Sequence, residues 1–230
     1  MKTIIFIPTY NEAENIQQLI TELISLYPDY EILVVDDNSP DGTANIIKNL
    51  NNPKIHLFVR KEQRGRGLAG IFGFKKSIEL GADYIIEMDG DLSHSPKYIS
   101  DFIRELKEHD VVLGSRYIKS GKDEQRTILR KIISFIARKY IQFILGLDIN
   151  DPTTGFRAYR NYVLEKIVPH LKSKDPFICT EILYYCKKYN FNIKEIPICF
   201  EKRFAGKSKL NFIILLKYLF RVIQLKYGTE

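Results

Sequence analysis

Tyr84-Ile85-Ile86-Glu87-Met88-Asp89-Gly90-Asp91 carries an almost continuously apolar run straight into two carboxylates separated by one glycine. The run is of strand length, and its near-continuous apolarity is expected of a strand covered on both faces. Residues 3–7, 31–35, 55–59 and 111–113 have the same β-branched texture. Between these runs the 3.6-residue periodicity predicts helices over 12–26, 43–50, 67–80 and 96–107. Asn11 and Asp41 stand where caps of two of these helices belong, and Pro96 suits a first helical position. Strand–helix alternation implies βαβ units. The expected fold class is therefore α/β, with a Rossmann-like, mostly parallel central sheet and helices on both faces.

In such sheets ligands bind beyond the carboxyl ends of the strands. Thr9-Tyr10-Asn11-Glu12 follow the first predicted strand and Asp36-Asp37-Asn38-Ser39 the second. Asp89-Gly90-Asp91 follow the fourth, and Gly114-Ser115-Arg116 the fifth. Polar residues at these strand ends converge on one rim, which locates a site from topology alone.

Asp89 and Asp91 offer the hard oxygen donors that Mg²⁺ or Mn²⁺ favours, and Gly90 lets the backbone approach a ligand closely. Acidic turns are common, so the weight of this triplet comes from its place at a strand end. Asp36 to Thr43 reads first as a helix-entry turn, since Asp, Asn, Ser, Pro and Gly are favoured there on conformational grounds. That accounts for residues 40–43 better than for two adjacent acids at the strand end, where Asp37 is placed to accept hydrogen bonds from a nucleobase. Arg60, Lys61, Arg64 and Arg66, interspersed with Gly65 and Gly67, form a basic loop near the same rim. A charge run is usually a solvated face, but this one suits a diphosphate. Arg116 is the better single phosphate contact. Arg203 and Lys209 flank Gly206-Lys207-Ser208, a second basic loop able to close over phosphate. Of the histidines only His94 lies near the acidic loop, and no Ser-His-Asp or Cys-His arrangement is present.

The remaining sequence bounds this reading. The chain has 230 residues, 45% hydrophobic and 27% charged, enough for one domain with a sizeable core. A net charge of +7 suits an anionic partner. Cys179, Cys186 and Cys199 lack zinc-ligand spacing and read as buried reduced thiols. No run approaches the ~20 apolar residues of a spanning helix, so the expected location is the cytoplasm, at a membrane surface. The second half predicts an amphipathic helix over 124–146, a turn-rich connection over 151–159, a helix over 177–189, a strand over 193–200 and a last amphipathic helix over 210–226. The two amphipathic helices carry Lys and Arg beside their apolar faces, as interfacial helices do, although core packing explains most amphipathic helices. Lys217 and Arg221 interrupt the last one, so it should lie on a membrane rather than cross it.

Pro8-Thr9-Tyr10-Asn11-Glu12, residues 34–43, 65–73, 88–94, 114–117, 151–157 and 203–209 together resemble, in order, the motifs of the family-2 glycosyltransferases, specifically the dolichol-phosphate (polyprenol-phosphate) mannose synthase group. The resemblance spans nearly the whole chain. It implies a GT-A fold, with a catalytic domain over 1–205 and a C-terminal basic loop and amphipathic helix over 206–230. Pro8, Thr9, Tyr10, Glu12, Val35 and Asp37 match positions that hold the nucleoside. Asp89, Gly90, Asp91 and Ser93 match those around the metal and diphosphate, with Mg²⁺ or Mn²⁺ on Asp89 and Asp91. Arg116, Arg203 and Lys209 match basic residues around the phosphates, and Arg130 and Ser134 fall where similar enzymes meet the acceptor phosphate at a membrane-surface helix.

The implied reaction is inverting transfer of a hexose, mannose from GDP-mannose, to a polyprenyl (dolichyl) monophosphate at the cytoplasmic membrane face. An acceptor that is already anionic needs no strong base. Two alternatives stand beside it. One is a UDP-sugar-dependent enzyme, transferring glucose or N-acetylglucosamine, whose hydroxyl-acceptor form would use Glu181 as base. The other is a basic α/β binding module, although no nucleic-acid motif is present and no nucleic-acid partner is expected. The chain departs from the family pattern at Gly90, where alanine is commoner, at Ser93, where some relatives carry a longer side chain near the metal, and at Cys179-Thr180-Glu181. No membrane spans follow residue 230, as in the soluble subgroup that works with small membrane subunits, or in a truncated chain.

Overall fold

Ile4 and Phe6 face one side of a central sheet while Ile5 and Ile7 face the other, and all are fully buried. Their strand, β1 (Thr3–Thr9), is thus covered on both faces, which is why its sequence does not alternate. Each such side chain contributes roughly 1.5–3 kcal/mol through burial. The computed structural model describes residues 1–123, 128–200 and 212–228, with backbone alone at 128–131 and 212–215.

β1 pairs in parallel with β2 (Glu31–Asp36) and β4 (Tyr84–Glu87), and β2 pairs with β3 (Ile55–Val59). On the other side stand β5 (Val111–Ser115), a two-residue β6 (Lys122–Asp123), β7 (Arg157–Arg160), β8 (Ile193–Pro197) and β9 (Cys199–Phe200). The main sheet has seven strands in the order β3-β2-β1-β4-β7-β5-β8, and β6 pairs with β9 separately. Among the described strands only β7 runs antiparallel, pairing Glu87 with Arg157 on one side and Val112 with Ala158 on the other. The mostly parallel α/β architecture expected from the sequence is therefore present.

Helix α1 (Ile16–Leu26), α2 (Thr43–Asn49) and α4 (Ile99–Glu105) pack on the face of Ile5 and Ile7. Helix α3 (Arg66–Glu79), α6 (Asn161–Ile167) and α7 (Ile178–Lys188) cover the face of Ile4 and Phe6. Gly73 sets how near α3 comes to β1, because a Cβ there would lie 2.2 Å from the Phe6 ring. Helices α5 (Ile128–Leu145) and α8 (Phe212–Tyr227) pack against each other, with the Tyr140 hydroxyl donating to the Leu219 carbonyl at 3.2 Å. Each turns one stripe inward, Ile141 and Leu145 on α5 and Val222 on α8. Each also leaves apolar residues exposed: Ile132, Ile133, Phe135, Ile136 and Phe143 on one, Leu216, Phe220, Ile223 and Tyr227 on the other. Among the described residues no helix is long and apolar enough to cross a membrane.

Three local expectations need correction. Residues 151–159 are not all connection, because β7 begins at Arg157 in the middle of the sheet. Its buried guanidinium donates to the carbonyls of Pro152, Thr154 and Cys179, so a charged residue occupies an interior strand at no cost in unpaired hydrogen bonds. Neither Asn11 nor Asp41 caps a helix. Asn11 sits at φ +61°, and α1 starts after an intervening turn. Asp41 lies one residue before the α2 cap, Gly42, and accepts from the Thr43 and Ala13 amides at 3.0 Å, tying two loops together. The run 193–200 is broken at Ile198, whose amide donates to Ser115 and whose carbonyl accepts from Lys122.

Candidate active site

The ends of β1, β2, β4 and β5 do meet at one rim. The two acids after β2 divide their duties. Asp36 is fully buried and accepts from the Thr9 hydroxyl at 2.9 Å and from the Ser39 amide and hydroxyl at 2.8 and 2.6 Å. It is a brace between the β1 and β2 loops, reinforced by Asn11 and Glu12 amides donating to Ser39 and Thr43. Asp37 instead faces the basic loop, accepting from Arg60 at 2.7 Å and from the Gly65 amide at 2.8 Å. Arg64 donates to the Asp37 and Asn38 carbonyls and to the Tyr10 hydroxyl, with its guanidinium 4.8 Å from the Tyr10 ring centre. Tyr10 is exposed, while Pro8, Thr9 and Val35 are buried in the strand ends beneath it. These residues bring an aromatic face, a carboxylate and a guanidinium together at the rim.

The acidic loop is drawn against the β1 end of that rim. A Cβ on Gly90 would lie 3.3 Å from Thr9 and 3.4 Å from Glu12, so glycine permits the approach. Asp91 is buried and its Oδ1 accepts from the Ser93 hydroxyl at 2.5 Å and the Ser93 amide at 3.1 Å. Ser93 therefore orients Asp91. Asp89 is partly exposed, 3.6 Å from Arg66, which also binds the buried Glu87 at 2.7 Å. Burial alone would lower the Arg66 pKa, but the charges of Glu87 and Asp89 outweigh it and raise it. His94 is spent inside the loop. Its Nδ1 accepts from the Asp89 amide at 3.0 Å, its ring stacks on Phe156, and burial pushes its pKa down against the pull of Asp89 and Asp91.

Among the described residues no three His, Cys, Asp or Glu side chains gather to hold a metal. Two carboxylates on a rim still fit Mg²⁺ or Mn²⁺, which bind through one or two carboxylates and complete their shell with water and substrate phosphates.

Arg116 does not project openly from β5. It is buried, and its Nε and Nη2 bind the two oxygens of Asp151 at 2.7 and 2.8 Å. Burial would lower the arginine pKa and raise that of Asp151; their mutual charge reverses both shifts. Glu195 fixes this corner by accepting from the Asn150 and Asp151 amides. Arg138, on α5, stacks 3.5 Å from the Tyr117 ring centre and donates to the Asn150 carbonyl, joining α5 to the same corner. Ser134 lies one turn before Arg138 and is half-buried. The Arg130 side chain, Arg203 and Lys209 lie outside the described residues.

Glu181, expected as a base for a hydroxyl acceptor, is buried, and its two oxygens accept from the Lys172 and Ser173 amides at 3.0 and 2.9 Å. It holds a loop. None of the three cysteines is in a disulfide; Cys179 and Cys186 are buried, with burial pushing Cys186 up to about 12, and Cys199 is half-buried. Sequence reasoning missed Glu87 as the partner of Arg66, although it is the one charged residue in its apolar run, and Asp151 as the partner of Arg116.

Known proteins resemble this chain in sequence and fold. The family model described as glycosyl transferase family 2 matches residues 4–168. The chain is 34% identical over 228 residues to polyprenol monophosphomannose synthase from Mycolicibacterium smegmatis, covering 97% of this chain and 86% of the relative. It is 35% identical over 214 residues to undecaprenyl-phosphate mannosyltransferase from Micrococcus luteus, covering 92% and 88%. Among solved structures, glucosyl-3-phosphoglycerate synthase from Mycobacterium tuberculosis in complex with Mn²⁺, uridine diphosphate and phosphoglyceric acid superposes with a TM-score of 0.77. At 13% identity it covers 100% of this chain and 79% of that one, and it supports the GT-A fold. With the family model spanning most of the chain and these relatives nearly all of it, the chain belongs to the family-2 glycosyltransferases.

Proposed function

We propose that this glycosyltransferase moves mannose from GDP-mannose onto a polyprenyl monophosphate at the cytoplasmic face of a membrane, with inversion at the anomeric carbon. The observation that carries the acceptor is the similarity, over nearly the whole chain, to two enzymes named for mannosyl transfer with polyprenol or undecaprenyl phosphate. Asp37, Tyr10 and Arg64 would hold the nucleoside, with Pro8, Thr9, Glu12 and Val35 shaping the rim. Asp91, oriented by Ser93 and assisted by Asp89 beside Gly90, would hold Mg²⁺ or Mn²⁺, which when bound neutralises charge developing on the leaving diphosphate.

A phosphate oxygen is anionic near neutral pH and attacks without a base. The engagement of both Glu181 oxygens by backbone amides supports that chemistry over a hydroxyl acceptor. Two anions must nevertheless be brought together, and Arg116, Arg130, Arg203 and Lys209, with Ser134, are the residues proposed to do it. The exposed apolar stripes of α5 and α8 would rest on the lipid surface where such an acceptor resides, with or without small membrane subunits.

Incubation with labelled nucleotide sugars, polyprenyl phosphate and Mn²⁺ tests the reading. Label should enter lipid from GDP-mannose; transfer only from a UDP-sugar would replace the donor, and no lipid labelling from any donor would sink the proposal.

A further inference from the structure

Residues 172–175 form a strap across the N-terminal end of α3. The Lys174 carbonyl accepts from the Gly67 amide at 3.1 Å. A Cβ on Gly65 would lie 2.2 Å from that carbonyl oxygen, and one on Gly67 would lie 2.1 Å from the Ser173 oxygen. Only glycine, which has no Cβ, admits the strap this closely. The strap is also held by two charged residues from different helices. Glu181 of α7 takes the Lys172 and Ser173 amides. Arg221 of α8 donates to Asp175 at 2.6 Å and to the Ser173 hydroxyl at 3.0 Å, with its guanidinium 4.2 Å from the Phe177 ring centre.

At the same end of α3, the Gly65 amide donates to Asp37, and Arg64 reaches the Asp37 carbonyl and the Tyr10 hydroxyl. A continuous path of hydrogen bonds and backbone contacts thus runs from α8 to the rim proposed to hold the nucleoside. We infer that Arg221 and Glu181 are positioning residues for the nucleotide donor. Through the strap they hold residues 65–67 where the Gly65 amide fixes the Asp37 carboxylate and Arg64 stays against Tyr10. Neither touches the donor. This inference rests on the proposed nucleotide-sugar chemistry of the rim.

The test uses the full chain and two measurements. Hydrogen exchange of the segment 62–70, made without nucleotide, should rise severalfold in Arg221→Ala while β1 remains protected. Calorimetry with GDP and with UDP, each with Mn²⁺, should show the bound nucleotide weakened roughly five- to tenfold, the scale of coupling through a chain of packed groups. Turnover at saturating donor should change little, and Arg221→Lys should recover part of the affinity. Ser173→Ala, which removes one hydroxyl, should act in the same direction if Arg221→Ala folds poorly. Lys217→Ala, an exposed change on the same helix, should leave both readouts at the wild-type value. Wild-type exchange over 62–70 together with wild-type nucleotide affinity in Arg221→Ala and Ser173→Ala would overturn the inference. If the wild-type chain binds neither nucleotide, the donor reading fails, and exchange alone decides whether the strap is held by Arg221.

Discussion

Arg116 and Asp151, 35 residues apart, form a buried two-bond pair at the rim, with the Arg116 amide donating to the same carboxylate at 3.2 Å. The arginine expected to reach toward phosphate thus starts from a fixed place, and any contact it makes with a substrate is made by a guanidinium whose direction Asp151 has already set.

Breaking that pair should be costly and pH-dependent. Asp151→Asn takes from buried Arg116 its two-bond partner and leaves only Asp123, 3.9 Å away, as counter-charge, a loss of about 3 kcal/mol. Because the folded pKa of Asp151 is depressed, its contribution is full above the unfolded carboxylate value, near 3.9, and disappears as pH falls through the lower folded value. Thermal unfolding should show the whole deficit at pH 6–7 and a narrowing gap between variant and wild type below about pH 4. A gap independent of pH would contradict the assignment.

Asp91→Asn should abolish the gain in nucleotide affinity produced by Mn²⁺ and lower turnover by roughly 100-fold or more, the scale for losing a group that stabilises developing charge. Ser93→Ala should give a smaller defect of the same kind, since the hydroxyl orients Asp91. Calorimetry with and without Mn²⁺ separates these effects from loss of fold.

Gly73→Ala places a methyl group where the Phe6 ring already stands. Overpacking of this kind costs about 1–3 kcal/mol. Denaturant unfolding should show the loss, with nucleotide affinity per folded molecule little altered.

Phe143→Ser together with Phe220→Ser removes two of the most exposed aromatic rings on α5 and α8. Sedimentation with vesicles containing anionic lipid should show binding weakened by roughly tenfold or more, as expected from the apolar area withdrawn. The melting temperature should hold, because neither ring is packed in the core.

The rim was legible because buried parallel strands are apolar from end to end, so Asp37, Asp89 and Asp91 stood out where the texture changed. β7 was not, since Arg157 and Arg160 resemble loop residues until backbone carbonyls are seen to receive them. The division of labour between Asp36 and Asp37 was also hidden: adjacent residues point to opposite faces of a strand, and only the positions of Thr9 and Arg60 decide which is brace and which faces the basic loop. On α5 the apolar positions could be recognised, yet which of them α8 and the sheet would cover depends on contacts far away in sequence. Partners such as Asp151 for Arg116 leave no periodic signal at all.

The reversed strand β7 gives the sheet a property that its parallel neighbours lack. Its entry, rather than its exit, lies at the rim, because Arg157 stands opposite Glu87. The segment leading into it therefore delivers Asp151 to Arg116 from the opposite chain direction, and strand register becomes a ruler for that pair. A one-residue slip would turn Ala158 and Tyr159 to the wrong faces, and a two-residue slip would carry the carboxylate about 7 Å away. The seating of one short strand thus calibrates where that buried pair stands at the rim.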